Sequence, residues 1–222
     1  MKIKNLTFLA LVGILALTLI ACSNDTSANE GHDFPPADMS EYEIEDDHYF
    51  YSVTMYEALQ LLDDESFNGI IYFGFPACPW CQAVLPAMHE AALETNTDIF
   101  YVSRSHDLRE GEWLYWDEQM AWWLDEQIEM RWIYLDEDGE EVTEVTDQPH
   151  RPNIFVPQII HLRGGMVVND HEGTFEGHDM VEEDDDRHLP ELTEEEYEAL
   201  LDTYITIFSG VHMCELGEES CP

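Results

Sequence analysis

The sequence predicts an α/β domain with a central mixed sheet flanked by helices, and three observations carry that expectation. Asn68 to Phe75, NGIIYFGF, is a nearly continuous apolar run, the pattern of a strand covered on both faces. A helical segment to about Thr95 and a second run of the same type, DIFYVSR at 98–104, follow it. Strand, helix and strand at this spacing imply a parallel pair joined by a right-handed crossover. Further on, short strands around 158–163 and 166–170 meet at Gly164-Gly165, a strong hairpin signal that makes the sheet mixed.

Taken in order, the chain opens with Lys2 and Lys4, an apolar run from about Leu6 to Ile20, then Ala21 and Cys22. These are the n-region and h-region of an export signal, and the run is short for a membrane span. Its end, Leu19-Ile20-Ala21-Cys22, resembles the lipobox of bacterial lipoproteins. The resemblance implies that residues 1–21 are removed and that Cys22 carries an N-terminal lipid, which would hold the chain on the extracytoplasmic face of a bacterial membrane. Residues 22–47 are polar, acidic and poor in periodic apolar positions, so they read as a flexible tether. A domain is expected over 48–210, followed by a cysteine-containing tail at 211–222.

Within that domain Thr54-Met55-Tyr56-Glu57 is a capping box that opens a short helix through about Leu62. After the second strand comes EWLYWDEQMAWWLDEQIEMRW, residues 112–132, with Trp113, Trp116, Met120 and Trp123 at helical spacing. This reads as an amphipathic helix that enlarges the core. One face cannot easily hide Trp113, Trp116, Trp122, Trp123 and Trp132 together, so an aromatic surface facing a substrate is the alternative. Acidic loops are expected over 136–150 and after the Gly164-Gly165 hairpin. Thr193 with Glu196 then caps a last amphipathic helix to about Phe208.

Composition excludes one class of function. The 222 residues carry 8 Lys+Arg against 49 Asp+Glu, a formal net charge of −41, and the only lysines are Lys2 and Lys4. A phosphate-binding face needs clustered basic residues, so nucleic acid is excluded as a partner, as is electrostatic adhesion to anionic lipid. Ten histidines raise the question of a metal. His171 and His178, set among acidic residues, lack tight ligand spacing and read as solvated loop residues, so no metal site is expected.

The chemistry concentrates in FPACPWCQAVLP, residues 75–86. A Cys-x-x-Cys at a strand-to-helix turn places Cys78 where backbone N–H groups and the helix dipole favour the thiolate. Pro79 suits the first helical turn, where its missing N–H costs nothing. Cys81 lies one turn on, close enough to resolve a mixed disulfide formed by Cys78. Zinc would require a second ligand pair at comparable spacing, which Cys214 and Cys221 supply only loosely. A purely structural 78–81 disulfide would close too small a loop to remove much unfolded-state entropy.

These features together resemble the thioredoxin superfamily in its extracytoplasmic lipoprotein form. The matching residues are Cys78-Pro79-Trp80-Cys81 after a buried strand, Pro86 five residues past the second cysteine, and Val156-Pro157 just before the hairpin. The resemblance covers about residues 48–210 and implies a thioredoxin-like fold. It implies a thiol–disulfide oxidoreductase whose cofactor is its own redox-active disulfide, with protein thiols or disulfides as substrates and a redox partner to regenerate it. Cys78 would exchange, Cys81 would resolve, and Trp80, Val156 and Pro157 would shape the substrate contact, with the Val156–Pro157 bond cis.

The chain departs from the family at Tyr72, where thioredoxins carry a buried acid six positions before the first cysteine. The usual proton acceptor for Cys81 is therefore missing from its place. Cys-Pro-Trp-Cys is also nearer to the Cys-Pro-x-Cys of glutaredoxins and periplasmic oxidases than to reductant thioredoxins, while the acidic chain pushes thiols the other way, so the direction of electron flow stays open. Of the four cysteines beyond Cys22, local spacing favours pairing 78 with 81 and 214 with 221. Cys214 and Cys221 read either as a structural disulfide or as an auxiliary redox pair. Two alternatives to the enzyme remain: a redox-silent accessory module serving an exporter, since the chain also resembles bacteriocin-transport accessory proteins, and a metallochaperone using Cys78 and Cys81 as soft ligands for Cu(I).

Overall fold

The computed structural model describes residues 33–44, 47–103, 112–128, 132–135, 141–142, 150–183 and 186–213. Residues 1–21, expected as a removed leader, Cys22, and the tail cysteines Cys214 and Cys221 lie outside the described residues.

A mixed five-stranded sheet is the centre of the fold, with strand order β1-β3-β2-β7-β8. Its strands are β1 (Phe50–Ser52), β2 (Asn68–Gly74), β3 (Ile99–Ser103), β7 (Gln158–Arg163) and β8 (Met166–Glu172). β3 runs parallel to both β1 and β2, whereas β7 is antiparallel to β2 and to β8. Helix α1 (Met55–Leu62) starts from the expected capping box: Thr54 accepts from the Glu57 N–H, and the Glu57 carboxylate accepts from the Thr54 N–H at 2.8 Å. Helix α2 (Pro79–Thr95) makes the crossover between β2 and β3, and Asn96 in the left-handed region, φ 54°, ends it. The β7–β8 turn has positive φ at both Gly164 (55°) and Gly165 (76°), the pairing that a two-residue hairpin of matching twist requires.

The alternation of β2 explains why its run is apolar throughout. Ile70 and Tyr72 face a layer formed by α2 and the last helix α4 (Glu194–Met213), with Val84, Leu85, Met88, Tyr204 and Phe208. Ile71 and Phe73 face a layer formed by α1 and α3 (Glu112–Asp125), with Ala58, Leu61, Met120 and Leu124. Both faces are buried, so a polar residue on either side would be stranded.

Five expectations need correction. Residues 33–44, read as part of a tether, pack against the domain: Ala37 and Met39 are buried, and Pro36 bridges Tyr51. Their backbone satisfies the open edge of β1 through Ala37 N–H to Phe50 at 2.9 Å and Ser52 N–H to Pro35 at 2.8 Å. An uncovered edge strand is a pairing liability, and the arm removes it. The aromatic helix stops at Asp125 rather than running to 132; its buried side is Met120, Ala121 and Leu124, while Trp122 is exposed. Trp132 instead opens β4 (Trp132–Leu135).

That strand lies between β5 (Glu141–Val142) and β6 (His150–Pro152) in a separate antiparallel sheet, so the region expected as an acidic loop contains strands. A further small hairpin, β9 (Val181–Glu183) with β10 (Asp186–His188), lies in the second acidic stretch. Finally, α4 continues past Phe208 to Met213 because Ile207, Phe208 and Val211 stay on its buried face. Gly210 sits inside it, where the His161 ring approaches to 3.3 Å of the position a Cβ would take.

Candidate functional site

Cys78 is the N-cap of α2, and Pro79 fills the first helical position. The loop from β2 is tied by the Cys78 N–H to the Phe75 carbonyl at 3.1 Å, and the helix is opened by the Gln82 N–H to the Cys78 carbonyl at 3.1 Å. The Cys81 backbone N–H donates to the Cys78 sulfur at 3.4 Å. An N-cap position of this kind turns otherwise unpaired helix N–H groups toward the side chain and favours its anion.

The two thiols are free, and they are unequal. The Cys81 thiol, acting on Cys78 together with the N–H groups of Cys81 and Trp80, lowers the Cys78 thiol to about 7 against the upward push of burial. Cys81, fully buried, is pushed far above the ordinary thiol range, first by Cys78 and then by burial. One sulfur is therefore available as a nucleophile near neutral pH while the other is held protonated behind it.

The remaining residues singled out in the sequence gather around this pair. The Cys78 thiol donates toward the Val156 carbonyl at 3.7 Å, and the Val156–Pro157 bond is cis, as the resemblance implied. Pro157 is buried, and its carbonyl accepts from Gly173 at 2.8 Å. Trp80 is half-buried, with its indole N–H donated to the His178 carbonyl at 3.0 Å.

His178, expected as a solvated loop residue, sits differently. It is buried, with Nδ1 2.8 Å from the Thr174 hydroxyl and Nε2 2.8 Å from the Pro190 carbonyl. A carbonyl only accepts, so Nε2 carries the hydrogen and Nδ1 accepts from Thr174. Through its own carbonyl His178 then fixes the indole beside the cysteines. His171 is also partly buried, donating from Nε2 to the Thr174 carbonyl at 3.1 Å and meeting the Tyr204 ring edge-on at 5.5 Å. Both histidines support the turn around Gly173 and Gly177, and no spacing rule in the sequence marks them for that role.

A groove of ≈ 560 Å³ opens beside the Cys78 end of α2, between Pro79, Gln82 and Pro86 on one side and Leu189, Pro190 and Leu192 on the other. Among the described residues no group of three or more His, Cys, Asp or Glu could hold a metal ion, and no helix is long and apolar enough to cross a membrane. At the other end of the domain the Val211 carbonyl accepts from Asn68 Nδ2 at 2.8 Å. α4 therefore ends beside the start of β2, whereas Cys78 follows its far end, a strand length of roughly 20 Å away.

No family model matches the chain, and a comparison with curated proteins found no match.

Proposed function

We propose that this chain is a membrane-anchored, extracytoplasmic thiol–disulfide oxidoreductase with a thioredoxin-like fold, lipid-anchored at Cys22. The observation that carries the reading is the asymmetry of the pair: a thiol lowered to about 7 at a helix N-cap, backed by a fully buried second thiol one turn away. A structural disulfide or a soft-metal clip gains nothing from holding its two sulfurs at opposite extremes of acidity. Stepwise exchange depends on it.

In the reducing direction the Cys78 thiolate attacks one sulfur of a substrate disulfide. A Cys78–substrate bond forms, the substrate disulfide breaks, and the departing sulfur leaves with the electron pair and takes up a proton. Cys81 then attacks the Cys78 sulfur, closing the 78–81 disulfide and releasing the second substrate thiol. Oxidation is the same sequence in reverse. The groove along Pro79, Gln82 and Pro86, which begins at the residue after Cys78, favours a polypeptide as substrate. The Val156 carbonyl and cis Pro157 border the sulfur from the opposite element. A second redox protein would regenerate the pair.

Replacing Cys81 with Ser tests the reading, because it removes the second step and leaves the first. The Cys81→Ser chain is expected to accumulate mixed disulfides with polypeptides through Cys78, and Cys78→Ser is expected to form none. Absence of any Cys78 adduct in Cys81→Ser, together with no disulfide exchange by the parent chain, would overturn it.

A further inference from the structure

The face of the sheet that carries Cys81 also buries a group of phenols. Tyr72 and Tyr204 are fully buried and Tyr101 nearly so. The Tyr101 ring stacks on Tyr72 with centroids 5.3 Å apart and planes at 20°. Tyr42, delivered by the packed arm, brings its hydroxyl within 3.2 Å of the Tyr101 hydroxyl.

Tyr72 differs from the Tyr42–Tyr101 pair because its buried hydroxyl has no hydrogen-bond partner. A buried donor left unpaired is costly, and native folds keep few of them. Its direction is informative. The phenol leans along β2 over Gly74, where a Cβ would collide with the Tyr72 oxygen. That lean carries the hydroxyl toward the C-terminal end of β2, where α2 begins and Cys81 sits. Cys81 and Tyr42 are its close polar neighbours. Besides burial, the groups that act most strongly on Cys81 are Cys78, the Phe75 backbone and the Tyr72 hydroxyl. Burial holds the Tyr72 phenol protonated, so it cannot act as a base; its O–H can donate to an anion.

We propose that the Tyr72 hydroxyl is a catalytic donor for the resolving thiol: its O–H hydrogen-bonds the Cys81 thiolate that forms during the second step of exchange. The inference rests on the redox reading of Cys78 and Cys81. In that step the Cys78–Cys81 bond forms and the bond from Cys78 to the substrate sulfur breaks. The electron pair leaves on the substrate sulfur, which takes up the proton that Cys81 gives away. Tyr72 keeps its own proton throughout, and its contribution is to the buried anion, a charge-assisted hydrogen bond of the stronger class. The hydroxyl, without a full hydrogen bond in the dithiol form, gains a charged acceptor when the anion exists. Tyr101, stacked on the ring, and Tyr42 hold that geometry and are positioning residues.

The test uses the full chain with Cys22, Cys214 and Cys221 replaced by Ser, reduced and mixed with a nitrobenzoate aryl disulfide whose released thiolate is coloured. Attack by Cys78 releases one coloured thiolate, and resolution by Cys81 releases the second. Tyr72→Phe is expected to leave the first step unchanged and to slow the second by on the order of tenfold or more, the effect of losing a hydrogen bond to a charged group. It should also move the pH midpoint of the second step upward. Gly74→Ala, which keeps the phenol and pushes its hydroxyl aside, should slow the second step as well. Equal second-step rates in the parent and Tyr72→Phe, or equal slowing of both steps, would overturn the inference and leave the redox reading standing. A parent chain with no second step would remove the redox reading and the inference with it.

Discussion

The two faces of the central sheet are built from different chemistry. The apolar cluster under α1 and α3 is built, among the described residues, from buried Val, Met, Ala, Leu, Phe and Ile, with Ile71 and Phe73 contributed by β2. The layer under α2 and α4 contains the buried Tyr72, Tyr101 and Tyr204 beside aliphatic residues, and α2 carries Cys81 inward on that side. Both layers are closed to water, and among the described residues the buried phenols and the buried thiol Cys81 lie in the layer under α2 and α4. The first face is scaffold and the second is where the proposed chemistry is supported. A substitution on the scaffold face should therefore change stability and spare the thiols, whereas substitutions that alter the thiols should fall on the other face.

The largest expected effect is at Cys78. Cys78→Ser should reduce disulfide exchange to the uncatalysed rate, measured by turnover of a peptide disulfide, while thermal unfolding changes little. On the scaffold face, Phe73→Ala removes a fully buried ring and should cost about 3–5 kcal/mol in denaturant unfolding. Exchange by the remaining folded fraction should stay at the parent rate. A large rate loss there would break the division between faces.

A third effect comes from His161, buried at the base of β7 with Nε2 2.9 Å from the Asn68 Oδ1. Burial, helped by Arg163, lowers it from 6.5 to about 4, so the folded chain holds it neutral where the unfolded chain takes up a proton. Its contribution is complete above pH 6.5 and is lost as pH falls toward 4, on the order of 3 kcal/mol in all. His161→Gln should flatten that part of the pH–stability curve. The smallest effect expected is at Trp80. Trp80→Phe leaves the His178 carbonyl without its indole donor and should cost about 1 kcal/mol, read by urea unfolding.

What was legible in the sequence was local. The Thr54 and Thr193 capping boxes, the Gly164-Gly165 turn, the all-apolar β2 and the proline after Cys78 each carry their signal within a few residues. What was missed depends on distant pairing. β4 is recognisable only through Val142 and His150, which pair with Tyr134. The arm at 33–44 has too few apolar positions to show a period, and its burial depends on the edge that β1 leaves open. His178 looks like any acidic-loop histidine until Thr174, Pro190 and Trp80 are brought around it. At the site itself the sequence located both cysteines and the Val156–Pro157 pair. The phenols around Cys81 converge from the arm, two strands and a helix, and no linear pattern joins Tyr42, Tyr72, Tyr101 and Tyr204.

The central claim is that Cys78 and Cys81 form one reversible redox pair. Equilibration of the chain, with Cys22, Cys214 and Cys221 changed to Ser, against glutathione buffers and mass-tagging of free thiols measures that directly. A single two-electron transition is expected, with both thiols lost together, at a potential between about −270 mV and about −120 mV. Thiols that stay free across that range, or that oxidise independently of each other, would contradict it.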